Sequence, residues 1–136
     1  ERLRKIGNEF GATTGRPRRC GWIDLVALDF ACMINGVTQL VMTKSDVLDA
    51  FESLSVCTSY KIDGKESQKV PYQICKAPIE PQYQTFNGWM TDITRITNHD
   101  QLPQMMKDYI QFINDHLGVP VSYISNGPGR DQIIKA

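Results

Sequence analysis

The sequence lacks any long apolar run, and it has few of the residues from which metal and nucleophile sites are usually built. Its 136 residues include only two histidines and four cysteines, and no two cysteines form a CxxC motif. Because no long apolar segment is present, the sequence predicts no transmembrane helix and no signal peptide. We therefore expect a cytoplasmic protein without a membrane partner. A length below 150 residues favours one compact unit over two independent cores.

The cysteines and histidines do not form a recognisable site in the sequence. The spacing of Cys20, Cys32, Cys57 and Cys75 fits neither a zinc site nor a disulfide framework. In a reducing compartment it favours four buried or half-buried free thiols. His99 lies in a polar loop and His116 near a helix C-terminus, where the helix dipole favours a cation, so neither is expected to be catalytic.

Charge is balanced over the whole chain but not along it. Fifteen lysines and arginines stand against fifteen aspartates and glutamates, which argues against a nucleic-acid partner. Residues 1–19, however, carry six basic and two acidic side chains, a net +4, and the rest of the chain carries −4. Positive charge gathered at one end is typical of a local anion site or of a basic tail.

Apolar periodicity predicts strands that alternate with helices. A helix is expected over residues 23–34, buried on more than one side and ended by Asn35-Gly36, and an amphipathic helix from about residue 102 to Gly118. A short helix over 45–51 could be capped by Ser45 or Asp46. Strands are expected at 37–43, 55–62, 66–70, 82–86 and 119–124. These elements predict a layered α/β fold with a largely parallel sheet, flanking helices and one β-hairpin, whose turn is Asp63-Gly64.

A basic loop over Gly11–Arg19 is the first segment that could bind a ligand. Its glycines let the backbone approach a ligand closely, its two threonine hydroxyls donate hydrogen bonds, and its arginines can grip a carboxylate or phosphate in a bidentate way. The composition is also typical of a solvated basic linker or a nucleic-acid tail. The glycines and the paired threonines favour a small anion.

The segment Thr43-Lys44-Ser45-Asp46 directly follows a predicted core strand. Nucleotide-binding proteins recognise guanine in this context, because an ionised aspartate accepts from both N1–H and the exocyclic amine of guanine, whereas adenine offers no such pair of donors. The alternative is an aspartate that only caps a helix beside a solvated lysine.

The turn Ser125-Asn126-Gly127-Pro128 follows the last long predicted strand. Its backbone N–H groups could meet a carbonyl such as O6 of guanine, although the same residues alone predict no more than a turn. Since ligands of such sheets bind at the carboxyl ends of strands, the two segments could form complementary halves of one guanine pocket.

Taken in chain order, these motifs resemble the C-terminal part of adenylosuccinate synthetase. The first residues, from Glu1 onward, are typical of the middle of a longer polypeptide. We therefore expect the chain to be a fragment of a larger, P-loop-like single-domain enzyme. The resemblance covers residues 1–136, with residues 1–20 as the aspartate and substrate loop and residues 21–136 as the α/β part with the guanine-recognition loops. It is carried by the segments Gly7–Arg16, Gly21–Leu28, Thr43–Asp49, Gly118–Val121 and Ile124–Pro128.

The resemblance implies a cytoplasmic, homodimeric ligase that uses GTP and Mg²⁺ to join inosine monophosphate (IMP) to L-aspartate, on the route to adenosine monophosphate (AMP). It implies that aspartate and IMP are bound by Thr13, Thr14, Gly15, Arg16 and Arg18. It implies that GTP is bound by Arg18, Lys44, Asp46, Ser125 and Gly127. The catalytic residues, the phosphate loop and the Mg²⁺ site are expected in the N-terminal part, so this chain is expected to hold no catalytic or metal-binding residue and to be inactive alone.

The match has departures and alternatives. Ser45 stands where the family usually has leucine, Pro17 where it often has arginine, and Gly129 where an aspartate often follows the proline. A free-standing guanine-nucleotide or anion-binding module without catalysis is the alternative, and an initiator methionine directly before Glu1 in the coding sequence would favour it. A nucleic-acid binder is disfavoured, because no basic face continues beyond residue 19.

Overall fold

Three α-helices and seven β-strands form the chain in the computed structural model, which describes residues 1–136. The helices are α1 (Arg2–Ile6), α2 (Leu25–Asn35) and α3 (Gln104–Leu117). The strands are β1 (Ile23–Asp24), β2 (Leu40–Met42), β3 (Ser53–Ile62), β4 (Lys65–Ser67), β5 (Ile79–Asn87), β6 (Val121–Ser125) and β7 (Ile133–Lys135). Two short 3-10 helices span Ser45–Leu48 and His99–Gln101. None of the helices has both the length and the apolar character needed to span a membrane.

The strands form two sheets rather than one. In the first, β3 is parallel to β1 and antiparallel to both β4 and β5; in the second, β6 is parallel to β2 and antiparallel to β7. The α/β class is confirmed, but the sheets are mixed, since only two of the five pairings are parallel. The difference arises because no α-helix lies between β3, β4 and β5 or between β6 and β7, and parallel neighbours need a crossover connection that is usually a helix.

The hairpin is confirmed at its predicted turn. Asp63 (φ 49°) and Gly64 (φ 79°) both have positive φ, as a two-residue turn matched to the twist of the strands requires. The return strand β4 (Lys65–Ser67) begins one residue before the expected 66–70 and ends three residues earlier, and it pairs only with Tyr60–Ile62 of β3.

Helix α2 begins and ends through local signals. The Asp24 carboxylate accepts from the N–H of Ala27 at 3.1 Å as the N-cap, so the helix begins at Leu25 and not at residue 23. Gly36 ends it in the left-handed conformation. The expectation of burial on several sides is wrong for this chain: α2 packs on β3 and α3, and Phe30, Met33 and Ile34 on its other side are 42–68% exposed.

Helix α3 and the strands beside it form the main core. The buried side of α3 consists of Met106, Tyr109, Ile110, Ile113 and Leu117, which is the helical spacing that the sequence predicted. Gly118 ends the helix at a φ of 63°. Each fully buried aliphatic side chain stabilises the fold by about 1.5–3 kcal/mol, so this face of α3 contributes strongly to the main core.

The cysteines are free, as expected, but only two of them are buried. Cys32 and Cys57 lie inside, where burial raises the pKa of each thiol. Cys20 and Cys75 are exposed, contrary to the expectation of partial burial, because both lie in loops at the surface.

Candidate functional site

The parallel pairing of β2 with β6 brings two of the predicted segments together. Met42 lies opposite Ile124 in this register, and each is followed directly by a polar segment. Because parallel strands end at the same edge of a sheet, Thr43–Asp46 and Ser125–Gly127 lie side by side there. The 3-10 helix Ser45–Leu48 contacts β6 at this edge.

The first of these segments turns sharply at Lys44. This residue has a φ of 57° and stands as the N-cap of the 3-10 helix without a side-chain capping bond. The expected caps are therefore wrong: Ser45 is 1% exposed and its Oγ has no hydrogen-bond partner. The half-buried Asp46 makes no side-chain hydrogen bond within the chain, so its carboxylate is available to accept from a ligand.

Asp49, which directly follows the 3-10 helix Ser45–Leu48, joins this part of the chain to the core. Its two oxygens accept from the indole N–H of Trp89 at 2.6 Å and from the N–H of Ile93 at 3.0 Å. Burial raises the pKa of Asp49, while these two donors act in the opposite direction. Sequence reasoning placed Asp49 in the motif without giving it this role, because both donors lie about forty positions further along the chain.

The second segment is held from behind by Asn126. This side chain is fully buried and donates from Nδ2 to the carbonyls of Ile93 at 2.5 Å and Ile96 at 2.9 Å. The Ser125 hydroxyl donates to the carbonyl of Gly127 at 3.1 Å. Asn126 therefore fixes the turn to the 93–96 segment and leaves Ser125 and Gly127 half-buried at its surface.

Gln132 supports this turn from the other side. Its Oε1 accepts from the N–H of Gly129 at 2.8 Å, and its Nε2 donates to the carbonyl of Thr94 at 3.0 Å. Sequence reasoning missed both Asn126 and Gln132 as supports, since no local pattern shows which carbonyls they meet.

The basic loop is closed at its base and open at its tip. An isolated antiparallel bridge joins Phe10 to Pro17, and the N–H of Gly11 donates to the carbonyl of Arg16 at 2.9 Å. Gly15 turns the chain at a φ of 64°. The tip therefore gathers Thr13, Thr14, Gly15 and Arg16, and all four are exposed.

One carboxylate, Glu9, connects this loop to the Thr43–Asp46 segment. Glu9 forms ion pairs with Arg18, at 2.9 Å between Nη1 and Oε2, and with Lys44 through its Oε1. Lys44 also donates to the carbonyl of Gly7 at 2.7 Å. The Lys44 ammonium and the Arg18 guanidinium hold the pKa of Glu9 below its usual value. Sequence reasoning missed Glu9, although an acidic residue inside a basic segment was the available signal.

A cavity of about 500 Å³ lies beside this carboxylate. Glu9, Arg19 and Lys44 form part of its polar wall, and Trp22 and Leu48 part of its apolar wall. No group of three or more histidine, cysteine, aspartate or glutamate side chains is arranged to hold a metal ion.

Comparison with known proteins decides the family. A sequence model described as adenylosuccinate synthetase matches residues 1–134. The chain belongs to the adenylosuccinate synthetase family. Adenylosuccinate synthetase of Flavobacterium psychrophilum is 54% identical over 132 residues, which are 97% of this chain and 31% of that protein. The enzyme of Cytophaga hutchinsonii is 52% identical, over 98% of this chain and 31% of its own length.

A solved structure of the family has the same fold. The fully ligated adenylosuccinate synthetase from Plasmodium falciparum superposes with a TM-score of 0.93 at 37% identity. The match covers 99% of this chain and 33% of the other. The chain thus spans about a third of the length of the relatives it matches.

Proposed function

We propose that this chain is the C-terminal portion of a GTP-dependent ligase that joins IMP to L-aspartate to form adenylosuccinate. Membership of the adenylosuccinate synthetase family supports this activity for the whole protein. The proposal also includes a cytoplasmic location and a homodimer. Each role below belongs to this proposal.

Asp46 and Lys44 are the proposed guanine-recognition residues. The Asp46 carboxylate would accept from N1–H and the exocyclic amine, and each such charge-assisted bond contributes about 1.5–3 kcal/mol. The aliphatic stem of Lys44 would lie along the base plane. Ser125 and Gly127, on the neighbouring strand end, would meet the other edge of the base through the turn.

The exposed loop tip is the proposed site for aspartate and IMP. Thr13 and Thr14 offer hydroxyl donors, Gly15 lets the backbone come close, and the Arg16 guanidinium forms no ion pair within the chain. A guanidinium fork binds carboxylate and phosphate oxygens in a bidentate way. Arg18 lies nearer to Lys44, through their common partner Glu9, and would contact GTP.

The chain binds substrates in this proposal and performs no chemical step. No residue of it is assigned as catalytic base or acid, and Mg²⁺ is assigned to the remainder of the enzyme. The chain alone is therefore expected to be inactive.

The parallel register of β2 and β6, in which Met42 lies opposite Ile124 so that the segments after both strands leave the same edge of the sheet, is the observation that supports this proposal. The test is turnover of the full-length protein with IMP and L-aspartate, with GTP compared with ATP. The Asp46→Asn variant should weaken the use of GTP and admit xanthosine triphosphate, whose 2-oxo group accepts where guanine donates. Asp29→Asn, at an exposed position on α2, is the matched control.

An unchanged base preference in Asp46→Asn would remove the guanine assignment. A full-length protein that binds GTP without consuming it in the presence of IMP and aspartate would favour the non-catalytic module instead.

A further inference from the structure

The Glu9 carboxylate holds the two cations that come from different motifs. Arg18 belongs to the basic loop and Lys44 to the segment after β2, yet both pair with Glu9. They are the only residues that form ion pairs with Glu9, and neither pairs with any other carboxylate. The position of each cation therefore depends on the same side chain.

Hydrogen bonds hold the main chain of Glu9 at the base of the loop. The N–H of Glu9 donates to the carbonyl of Arg4 at 2.9 Å, and its carbonyl accepts from the N–H of Arg18 at 3.0 Å. Arg4 completes the arrangement by donating from Nε to the carbonyl of Arg18 at 2.6 Å. Glu9 is thus fixed at the base of the loop, next to the bridge between Phe10 and Pro17.

Both cations keep donors free for a ligand while they stay on Glu9. Arg18 uses Nη1 toward Glu9, out of five N–H donors. Lys44 uses its ammonium toward Glu9 and the Gly7 carbonyl, out of three. Their side chains are 59% and 54% exposed, whereas that of Glu9 is only 22% exposed. Glu9 can therefore orient both cations while their exposed, unused N–H donors stay available to a ligand.

We propose that Glu9 is a positioning residue that couples the guanine segment to the substrate loop, by holding Lys44 and Arg18 on one carboxylate. The inference rests on the proposed function, because it takes Lys44 to the nucleotide and the loop to aspartate. The main chain of Glu9 is already held, so the coupling acts through its side chain. GTP that contacts Lys44 favours the conformation in which the Glu9 carboxylate pairs with both Lys44 and Arg18, and this pairing holds the Arg18 side chain at the base of the loop. Coupling of this kind is reciprocal, so aspartate raises the affinity for GTP by the same factor.

The test uses the full-length protein with Glu9→Gln, which keeps the shape and removes the charge. Glu9→Asp keeps the charge on a shorter stem, and Glu80→Gln, at an exposed and unpaired position on β5, is the matched control. For each protein, kcat, the KM for GTP and the KM for L-aspartate are measured at low and at saturating concentration of the other substrate.

Wild type should show a KM for L-aspartate that falls as GTP rises. In Glu9→Gln this dependence should disappear and the KM for GTP should rise about tenfold, with kcat changed much less. Glu9→Asp should recover part of the coupling, and Glu80→Gln should match wild type. If Glu9→Gln does not fold, Glu9→Asp carries the test, with a weakened coupling as the expected result.

Three results would overturn the role of Glu9: no coupling in wild type, full coupling in Glu9→Gln, or a loss of thermal stability in the Glu9 variants without any change in either KM. These results leave the proposed function intact as long as Asp46→Asn changes the base preference. Unaltered base preference in Asp46→Asn would instead refute the guanine assignment itself.

Discussion

The indole N–H of Trp89 donates to Oδ1 of Asp49 at 2.6 Å, and this bond joins the core to the segment that carries Lys44 and Asp46. Trp89 is 4% exposed and packs edge-on against Tyr109 of α3. The candidate guanine residues Lys44 and Asp46 are exposed or half-buried, but Asp49 ties the backbone that follows them to a buried aromatic cluster. Binding should therefore respond to substitutions that contact no ligand.

Asp49→Ala should lower the free energy of unfolding by about 2–4 kcal/mol, because it leaves the Trp89 and Ile93 N–H groups without acceptors. Urea unfolding of the full-length protein measures the change. Asp29→Ala, an exposed position on α2, should stay within about 0.5 kcal/mol of wild type. Equal stability of the two variants would contradict the role given to Asp49.

Asn126→Ala should also destabilise the protein by about 2–4 kcal/mol, since the carbonyls of Ile93 and Ile96 lose their buried donor. The turn would then be free to move, so affinity for GTP should fall as well, which isothermal titration calorimetry measures. Asn35→Ala, at an exposed helix end, provides the comparison. A stability loss with unchanged GTP affinity would separate Asn126 from the candidate site.

Gly127→Ala should conflict with Gln132, because a Cβ at residue 127 would lie 2.4 Å from the end of that side chain. Moving Gln132 would break its hydrogen bonds to Gly129 and Thr94 and lower the free energy of unfolding by about 1–2 kcal/mol. In a Gln132→Ala background the same substitution should cost less than about 0.5 kcal/mol, because the obstacle is gone. Additive effects in this double-mutant cycle would show that Gln132 is not the reason why alanine is unfavourable at residue 127.

Glu9 predicts a dependence of stability on pH at the acid end. Its pKa is lowered in the folded state from an ordinary value of 4.5, so its contribution is complete above that value and is lost as pH falls through the lowered pKa. Glu9→Gln should remove this part of the pH dependence. The measurement is the urea midpoint of both proteins from pH 7 to pH 3. Curves that remain parallel over this range would contradict the prediction.

Elements set by neighbouring residues were predictable. The seam of α3 follows from apolar residues at helical spacing, and its end follows from Gly118. The turn at Asp63-Gly64 follows from residues that tolerate positive φ. The weaker predictions concern strands: β2 spans only 40–42 of the expected 37–43, and β7 was not expected at all. Strand limits depend on a partner strand, and the partner is remote in sequence.

The sequence by itself determined the helices with strong periodicity, the turn chemistry, the order of the three candidate segments and the resemblance to the family. All of these depend on residues that are close in the chain. Only the tertiary structure decided that Thr43–Asp46 lies beside Ser125–Gly127, that Asn126 and Asp49 hold these segments from behind, and that Glu9 joins Lys44 to Arg18. The physical reason is that one carboxylate or amide can meet many donors and acceptors, and the packing of distant strands selects which of them it reaches.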